Sequence, residues 1–162
     1  MKQLSIIGSH KAFSRSEIEH LTEWMGKQIL GPWMAARISI TVRLQIDSSD
    51  YGQMWYTYSP KIRDFEILIN QNVGRERFIK TMAHEMTHVR QYARRELKEY
   101  KDHINWCGRK INIIKMAKDN TEVSVVQSTY GKMRTYENFP WEIDAENNAE
   151  IMYHRYIKET EQ

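Results

Sequence analysis

The chain has 162 residues with 41% hydrophobic content, and 24 basic residues stand against 21 acidic ones for a net charge of +3. This length supports one hydrophobic core and is too short for two comfortable ones, so a single compact domain over residues 1–162 is predicted. The nearly balanced charge argues against a dedicated nucleic-acid-binding protein, and the single cysteine, Cys107, excludes an intrachain disulfide. Any zinc site must then be built from histidine and carboxylate ligands.

The N-terminal region predicts a strand followed by a helix. The apolar run in MKQLSIIGSH is shorter than that of a signal peptide or a membrane span, so a cytoplasmic protein is expected. KQLSIIGS is short and β-branched enough for a first strand. SRSEIEHLTEWMGKQILG has apolar residues at helical spacing and ends at Gly31-Pro32, which predicts a helix.

Three strand patterns follow this helix. RISITVRLQI alternates apolar and polar residues, as a half-buried strand does, and its turn is expected at residues 47–50. YGQMWYTY and DFEILIN are two further strand candidates, separated by a turn that contains proline.

The second half of the chain is predicted to be helical at both ends. A helical pattern runs from Arg75 to about Tyr100, and HINWCGRKINII resembles an extended segment with a turn at Gly108. Residues 115–135 are too mixed to assign. A last helix is predicted from Pro140 to about Lys158, because proline is favoured at the first helical position. Strands followed by helices predict an α+β domain with a small sheet packed on helices.

The stretch TMAHEMTHVRQY contains His84, Glu85 and His88 in the order H-E-x-x-H, which arises by chance in a chain of this composition with a probability of roughly 2 per cent. On the predicted helix the two histidines project away from the apolar stripe. Their Cβ atoms are about 6 Å apart, a distance that a tetrahedral zinc ion can bridge. Glu85 is then placed to act as a general base. The stripe consists of Phe78, Met82, Met86, Val89, Ala93, Leu97 and Tyr100.

The alternative is a solvated helix face with two surface histidines. On the histidine pair alone, this alternative and a metal site are about equally favoured. A catalytic zinc ion needs a third protein ligand, so the choice depends on another residue. Four further histidines are candidates by residue type: His10, His20, His103 and His154.

A glutamate in FPWEIDAENNAEIMYH is the stronger candidate for the third ligand. Glu142, Glu146 and Tyr153 share one face of the predicted helix. Glu142, near the helix N-terminus, would stay ionised and could bind the metal, while Glu146 could orient one of the histidines. A solvated acidic helix face is the alternative, and it would be preferred without His84 and His88. With the histidine pair present, a metal-binding role for Glu142 is preferred.

The sequence resembles the gluzincin class of zinc metallopeptidases, since HEMTH is followed by EIDAE. WCG and PWEIDA also make it similar to small phage and bacterial metallopeptidase-like proteins, the minigluzincin-like group. The resemblance covers roughly residues 64–156, and its specificity lies in the combination of motifs. It implies one catalytic Zn²⁺ ion bound by His84, His88 and Glu142, with Glu85 as the base.

The resemblance also implies a fold and an activity. The implied fold is a small, twisted, mainly antiparallel sheet packed on an N-terminal helix and a zincin active-site helix, with a C-terminal glutamate helix. The implied activity is that of a zinc metalloendopeptidase on protein or peptide substrates, in the host cytoplasm if the chain is phage-encoded. The strand DFEILIN is implied as the rim along which a peptide lies extended. Candidates for an oxyanion-stabilising residue are Tyr153, Tyr130 and Tyr136.

Two other functions fit the same residues. One is a zinc-binding interaction module without catalysis, although the presence of Glu85, which is no ligand, argues mildly against it. The other is a nucleic-acid-associated protein with a protease-like domain, although a solvated face with salt bridges is favoured over it by roughly two to one. No membrane partner is expected. The basic residues behind this alternative are Arg90, Arg94, Arg95, Lys98, Lys101, Arg109, Lys110, Lys115 and Lys118.

Two expectations concern the region after the motif. Cys107 lies near the predicted site, and a small buried side chain is expected there rather than a thiol that caps zinc. Substrate specificity is predicted to come from the loop between Lys115 and Phe139.

Overall fold

The computed structural model describes residues 1–45, 51–118, 121–127, 133–134 and 138–160, and residues 113–134 only in their backbone. Its helices are α1 (Arg15–Leu30), α2 (Pro32–Ala35), α3 (Arg75–Ala93) and α4 (Pro140–Thr160). Its strands are β1 (Gln3–Ile7), β2 (Ser39–Gln45), β3 (Gly52–Tyr56), β4 (Asp64–Asn70), β5 (Leu97–Glu99), β6 (His103–Trp106), β7 (Arg109–Lys118), β8 (Thr121–Gln127) and β9 (Met133–Arg134). This mixture of helices and strands confirms the predicted α+β class. The turn predicted at residues 47–50 lies outside the described residues.

The strands form two sheets. The first has the order β1-β2-β4-β3, in which β1, β2 and β4 run parallel and β3 lies antiparallel at the edge. The second has the order β5-β6-β7-β8-β9 and is antiparallel throughout. Most strand pairs in the described part of the chain are therefore antiparallel. α1 and α2 provide the long crossover between the parallel strands β1 and β2, whereas the connection between β2 and β4 passes through β3.

One face of the first sheet forms the core. β2 and β4 bury every second residue, as the alternation of β2 predicts, and α1 and α3 cover that face. The outward-facing residues of the same strands are only partly buried. The buried residues of the two strands are Ile40, Val42, Leu44, Phe65, Ile67 and Ile69.

α1 begins and ends as its sequence predicts. The hydroxyl of Ser14 accepts a hydrogen bond from the backbone N–H of Glu17, and the Glu17 carboxylate accepts one from the backbone N–H of Ser14. This reciprocal capping satisfies two amides at the helix N-terminus. The helix ends at Gly31, whose φ of 81° is a conformation that glycine adopts without steric cost.

The prediction that α3 continues to Tyr100 is wrong. The helix ends at Ala93, and Arg95 has a φ of 61°, which a continuing α-helix cannot contain. Leu97 is buried, but it lies on β5 in a second apolar cluster with Ile104, and Tyr100 is exposed. Leu97 lies on a strand, but it follows Ala93 by four positions, which is also a helical spacing. For this reason the sequence predicted a helix that continues.

The segment after α3 forms the second sheet. β6 and β7 are joined by Cys107 and Gly108, with φ values of 48° and 84°, as in a tight hairpin turn. Cys107 is exposed on this turn, so the expectation of a buried side chain is wrong. β7 and β8 pair through part of the region that the sequence left unassigned. No helix in the described part of the chain is both long and apolar enough to cross a bilayer.

Candidate metal centre

The H-E-x-x-H face of α3 is covered by α4. The two helices pack on each other, and His88 is buried while His84 is partly buried. The helical wheel of α3 had placed both histidines away from the apolar stripe, and they do project from that side. They are shielded from solvent because a second helix lies across them.

Three side chains converge between these helices. His84 Nε2 lies 3.1 Å from His88 Nε2, and Glu142 Oε2 lies 3.4 Å from His84 Nε2 and 3.5 Å from His88 Nε2. A tetrahedral ion with bonds of about 2.0–2.1 Å holds its ligand atoms about 3.3–3.4 Å apart. The three atoms therefore fit one small cation. Within the described ranges, this is the group of histidine, cysteine and carboxylate side chains that could hold a metal.

Glu142 is a buried carboxylate in the first turn of α4. It is 7% exposed and faces the two imidazoles. The N-terminus of a helix favours negative charge, which suits a carboxylate at this position. A buried charge is costly unless a partner of opposite charge compensates it, so this position suits an anion that binds a cation.

The proton position on His88 follows from its neighbour Gln91. The amide Nε2 of Gln91 donates to the backbone carbonyl of Trp141 at 2.9 Å and to Asp144 Oδ2 at 2.8 Å, and both of these oxygens only accept. The Gln91 Oε1 atom must therefore face His88, whose Nδ1 lies 2.9 Å away and donates to it. This tautomer leaves the Nε2 lone pair of His88 directed at the site.

The same contacts tie α3 to α4. Arg90 donates to Asp144 and, at 3.0 Å, to Glu96 Oε2, so Asp144 receives hydrogen bonds from both Arg90 and Gln91. Asp144 lies two residues after Glu142 on α4. The network therefore fixes the position of the first turn of α4 relative to the histidines.

The charge on His88 is set by opposing effects. Burial alone would lower the pKa of His88, but hydrogen bonding to Glu142, the charges of Glu142 and Glu85, and the bond to Gln91 together raise it above the usual value. The negative charges around the imidazole therefore stabilise a cation in this position.

Glu85 lies beside the cluster without belonging to it. Its side chain is 6% exposed, and it lines a cleft of about 1030 Å³ that follows α3 between β3 and the first turn of α4. The exposed aromatic residues Tyr51 and Trp55 also line this cleft. A molecule in the cleft would meet Glu85 and the cluster together.

The other sequence-predicted residues divide into two groups. Glu146 has a side chain that is 68% exposed, and its Oε2 lies 3.5 Å from His84 Nδ1, so an orienting role towards His84 stays a prediction. Tyr153 is absent from the described residues that line the cleft, and its ring lies 5.0 Å from the Lys80 ammonium. Its position gives no support to an oxyanion role. Tyr130 and Tyr136 lie outside the described residues, as does much of the loop predicted to set specificity.

None of the other candidate histidines joins the cluster. His10 donates from Nε2 to the Val73 carbonyl at 3.0 Å and packs between phenylalanine rings. His20 is exposed on α1, and His103 pairs with its neighbour Asp102. His154 is exposed on the last helix.

The strand at the rim of the cleft is β3, whereas β4 (DFEILIN) was expected there. β4 pairs with β2 on one side and with β3 on the other, so it has no free edge for a peptide. β3 is the edge strand, and residues 51–55 line the cleft. Strand order is not visible in the alternation of a single strand, and this is why the expectation failed.

Several of the basic residues beside the motif are used within the fold. Arg90 binds two carboxylates, Arg94 donates to the Leu30 carbonyl at 2.6 Å, and Arg95 donates to the Pro60 carbonyl at 2.6 Å. These three guanidinium groups stabilise chain contacts. They therefore weaken the argument for a nucleic-acid-binding face on α3.

No family model, curated protein or solved structure matches the chain. The resemblance to gluzincins therefore stays a prediction based on short motifs. The geometry of His84, His88, Glu142 and Glu85 is independent information about what the site can do.

Proposed function

We propose that this protein is a zinc-dependent metallopeptidase of the gluzincin type. His84, His88 and Glu142 hold the ion, and Glu85 is the general base. The observation that carries the proposal is the triangle of ligand atoms, with separations of 3.1, 3.4 and 3.5 Å, beside a glutamate in an open cleft. These residues come from two helices, and their separations match a tetrahedral ion.

Zinc is favoured over other cations by the donor set and by Glu85. Two imidazoles and one carboxylate form a catalytic zinc set, with room for a further ligand. The same set also suits ferrous iron in oxygenases, so metal analysis has to distinguish the two. A carboxylate beside the ligands that could accept a proton fits hydrolysis.

The catalytic chemistry divides between the ion and the chain. A zinc ion, when bound, supplies a Lewis acid that polarises a carbonyl group and makes water acidic near neutral pH. The carboxylate of Glu85 takes the proton from the attacking water and delivers it to the nitrogen of the leaving amine. Burial of Glu85 next to the cluster keeps its carboxylate within reach of both partners.

The edge of β3 supports a peptide as the substrate. An extended segment that adds to a free strand edge forms main-chain hydrogen bonds, which do not depend on side-chain identity. β3 runs beside Glu85 and the cluster, so a peptide paired with it lies across both. Pockets along the cleft then select among side chains.

The test combines metal content with hydrolysis. Purified protein should contain close to one zinc ion per chain and should cleave casein or a mixed peptide library. Glu85→Gln should retain zinc and lose hydrolysis by at least the roughly 10²- to 10⁴-fold contribution of a general base. Glu23→Gln, at an exposed position of α1, is the matched control and should behave as the unaltered protein.

Other outcomes would point to the alternatives. Zinc content without cleavage of any library peptide, unchanged by Glu85→Gln, would favour an interaction module. Iron as the bound metal would contradict the peptidase proposal. Activity retained in Glu85→Gln would remove Glu85 from the role of base.

A further inference from the structure

The cleft continues beyond His88 into an aromatic and apolar compartment. Tyr92 follows His88 by one turn of α3, which is about 6 Å along the helix axis. An extended peptide advances about 3.3 Å per residue, so this compartment receives a side chain one or two positions from the bond held at the cluster. Its walls are formed by Trp55, Tyr92, Leu97, Ile104, Phe139 and Trp141.

One carboxylate lies at this end. Glu99 lines the cleft from β5, on the same side of the strand as Leu97, while Lys98 between them faces the other way. The hydroxyl of Tyr92 donates to Glu99 Oε1, and the Tyr92 ring packs on Tyr56 with ring centroids 4.5 Å apart. The carboxylate is therefore held in place beside the aromatic walls.

The opposite end of the cleft carries basic side chains. The guanidinium of Arg77 lies over the ring of Tyr51, 4.6 Å from its centroid. Lys80 also lines this end, although Glu150 at 2.7 Å and Glu76 at 3.0 Å compensate its charge. A basic side chain in the cleft is therefore attracted towards Glu99 and repelled by Arg77.

We propose that the compartment beyond His88 is a subsite for a lysine or arginine side chain of the substrate. The aliphatic part of such a side chain packs along the apolar walls, and its charged end reaches Glu99 beside the faces of aromatic rings. A purely apolar side chain fills the same walls and leaves Glu99 without a cationic partner. This inference rests on the proposed function, because it assigns the substrate class of the same cleft.

The test uses three fluorescein-labelled octapeptides of alanine and leucine. They are identical except at the fourth position, which is lysine, norleucine or glutamate. Binding is measured by fluorescence anisotropy with zinc-loaded Glu85→Gln protein, and cleavage is measured with the unaltered protein. The lysine peptide should bind about fivefold to tenfold more tightly than the norleucine peptide, and the glutamate peptide should bind most weakly. Cleavage should occur at one fixed distance from the lysine.

Two variants test whether Glu99 causes this preference. Glu99→Gln keeps an acceptor for the Tyr92 hydroxyl, and it should reduce the ratio between the lysine and norleucine peptides to about one. Lys98→Gln changes the charge by one unit on the opposite side of the same strand. If Glu99 acts by local contact, Lys98→Gln should leave the ratio between the lysine and norleucine peptides unchanged. If the preference came from the net charge of the protein, Lys98→Gln would raise this ratio. Both variants are introduced into the Glu85→Gln protein for the binding measurements.

The possible results separate this inference from the proposed function. Glu99-dependent binding of the lysine peptide without any cleavage would support the subsite and contradict the peptidase. Cleavage with equal use of lysine and norleucine would support the peptidase and overturn the subsite in favour of an apolar pocket. Neither binding nor cleavage of the lysine peptide would overturn both.

Discussion

Gly52 on β3 lies so close to Glu85 on α3 that a β-carbon at this position would be 3.1 Å from Glu85 Oε1. The same β-carbon would lie 2.4 Å from Thr81 Cγ2 and 3.2 Å from the Leu68 carbonyl oxygen. The edge strand can therefore approach α3 this closely only because residue 52 has no side chain. This approach places the rim of the cleft directly against the proposed base.

Gly52→Ala should destabilise the protein by about 1–3 kcal/mol and reduce hydrolysis, because the new methyl group overlaps Thr81 and displaces Glu85. Chemical denaturation and peptide cleavage measure the two effects. Gly74→Ala is the control, since none of the described atoms lies within 4 Å of a β-carbon there, and only a small capping cost is expected.

A second variant separates folding from catalysis at this position. In Gly52→Ala/Thr81→Ser the closest clashing methyl group is removed, so stability should recover while the contact with Glu85 persists. Hydrolysis should therefore remain impaired at normal zinc content. Full recovery of both properties would show that Gly52 serves packing alone.

Glu142→Gln should weaken zinc binding more than the roughly 10- to 100-fold that loss of a supporting partner costs. The amide has the shape of the carboxylate but lacks the charge that binds the ion. Glu146→Gln is the matched variant, one turn later on α4, and it should stay within that range because Glu146 lies against His84 Nδ1 and not against the Nε2 atom that faces Glu142. Equal losses in a competition titration with a zinc chelator would contradict Glu142 as the third ligand.

Gln91→Leu should lower zinc affinity by about 10- to 100-fold although Gln91 does not touch the ion, because the acceptor that fixes the His88 tautomer is lost. The Trp141 carbonyl also loses a buried donor, at a cost of about 1–3 kcal/mol in the free energy of unfolding. Gln28→Leu on α1 is the control. Unchanged zinc affinity in Gln91→Leu would mean that α4 alone positions the histidine.

His10 should make stability depend on pH. Burial lowers the pKa of its imidazole from the ordinary value of 6.5, against a smaller opposing effect of the Val73 bond. Nδ1 accepts from the Ala12 N–H at 3.1 Å while Nε2 donates to Val73, so the neutral form is required. The unfolded chain then binds a proton more readily, and the stabilisation present above pH 6.5 is lost as pH falls through the folded pKa.

The measurement is the difference in unfolding free energy between the unaltered protein and His10→Gln, determined in urea at pH 5.0, 6.0 and 7.5. Subtraction cancels the other titrating groups. The advantage of the unaltered protein should grow from pH 5.0 to pH 7.5. A difference that stays constant across this range would contradict a buried neutral His10.

The sequence predicted those parts of the fold that a local pattern encodes. The apolar spacing along α1, the alternation of β2 and the proline at the start of α4 each determine structure through neighbours in the chain. The order of strands in the sheet is set by packing between distant segments. The sequence therefore could not show that β3, and not the predicted β4, lies at the rim of the cleft. The end of α3 was missed because Leu97, on the strand that follows, is an apolar residue at a position that a continuing helix would also bury.

In the candidate site too, the residues that belong to a local sequence pattern were predicted, and a residue whose partners are distant in the sequence was not. His84, Glu85 and His88 are linked by helical spacing, and Glu142 was found through a second motif on its own helix. Gln91 was missed because its partners, the Trp141 carbonyl and Asp144, are 50 and 53 positions away. No sequence pattern marks an amide that acts across that separation.

The proposed ligands are far apart in the sequence. α3 and α4 are separated by the entire second sheet, so an ion held by both helices closes a loop of about 50 residues. Among the side chains that the structure describes, the first sheet, α1 and α3 share the larger core, and the second cluster includes Leu97, Ile104, Phe139 and Trp141. Removal of the ion should therefore speed hydrogen exchange most in β5 and β6, while β2 and β4 stay protected. A bound ion would therefore add a link between the two helices that flank the second sheet in the sequence.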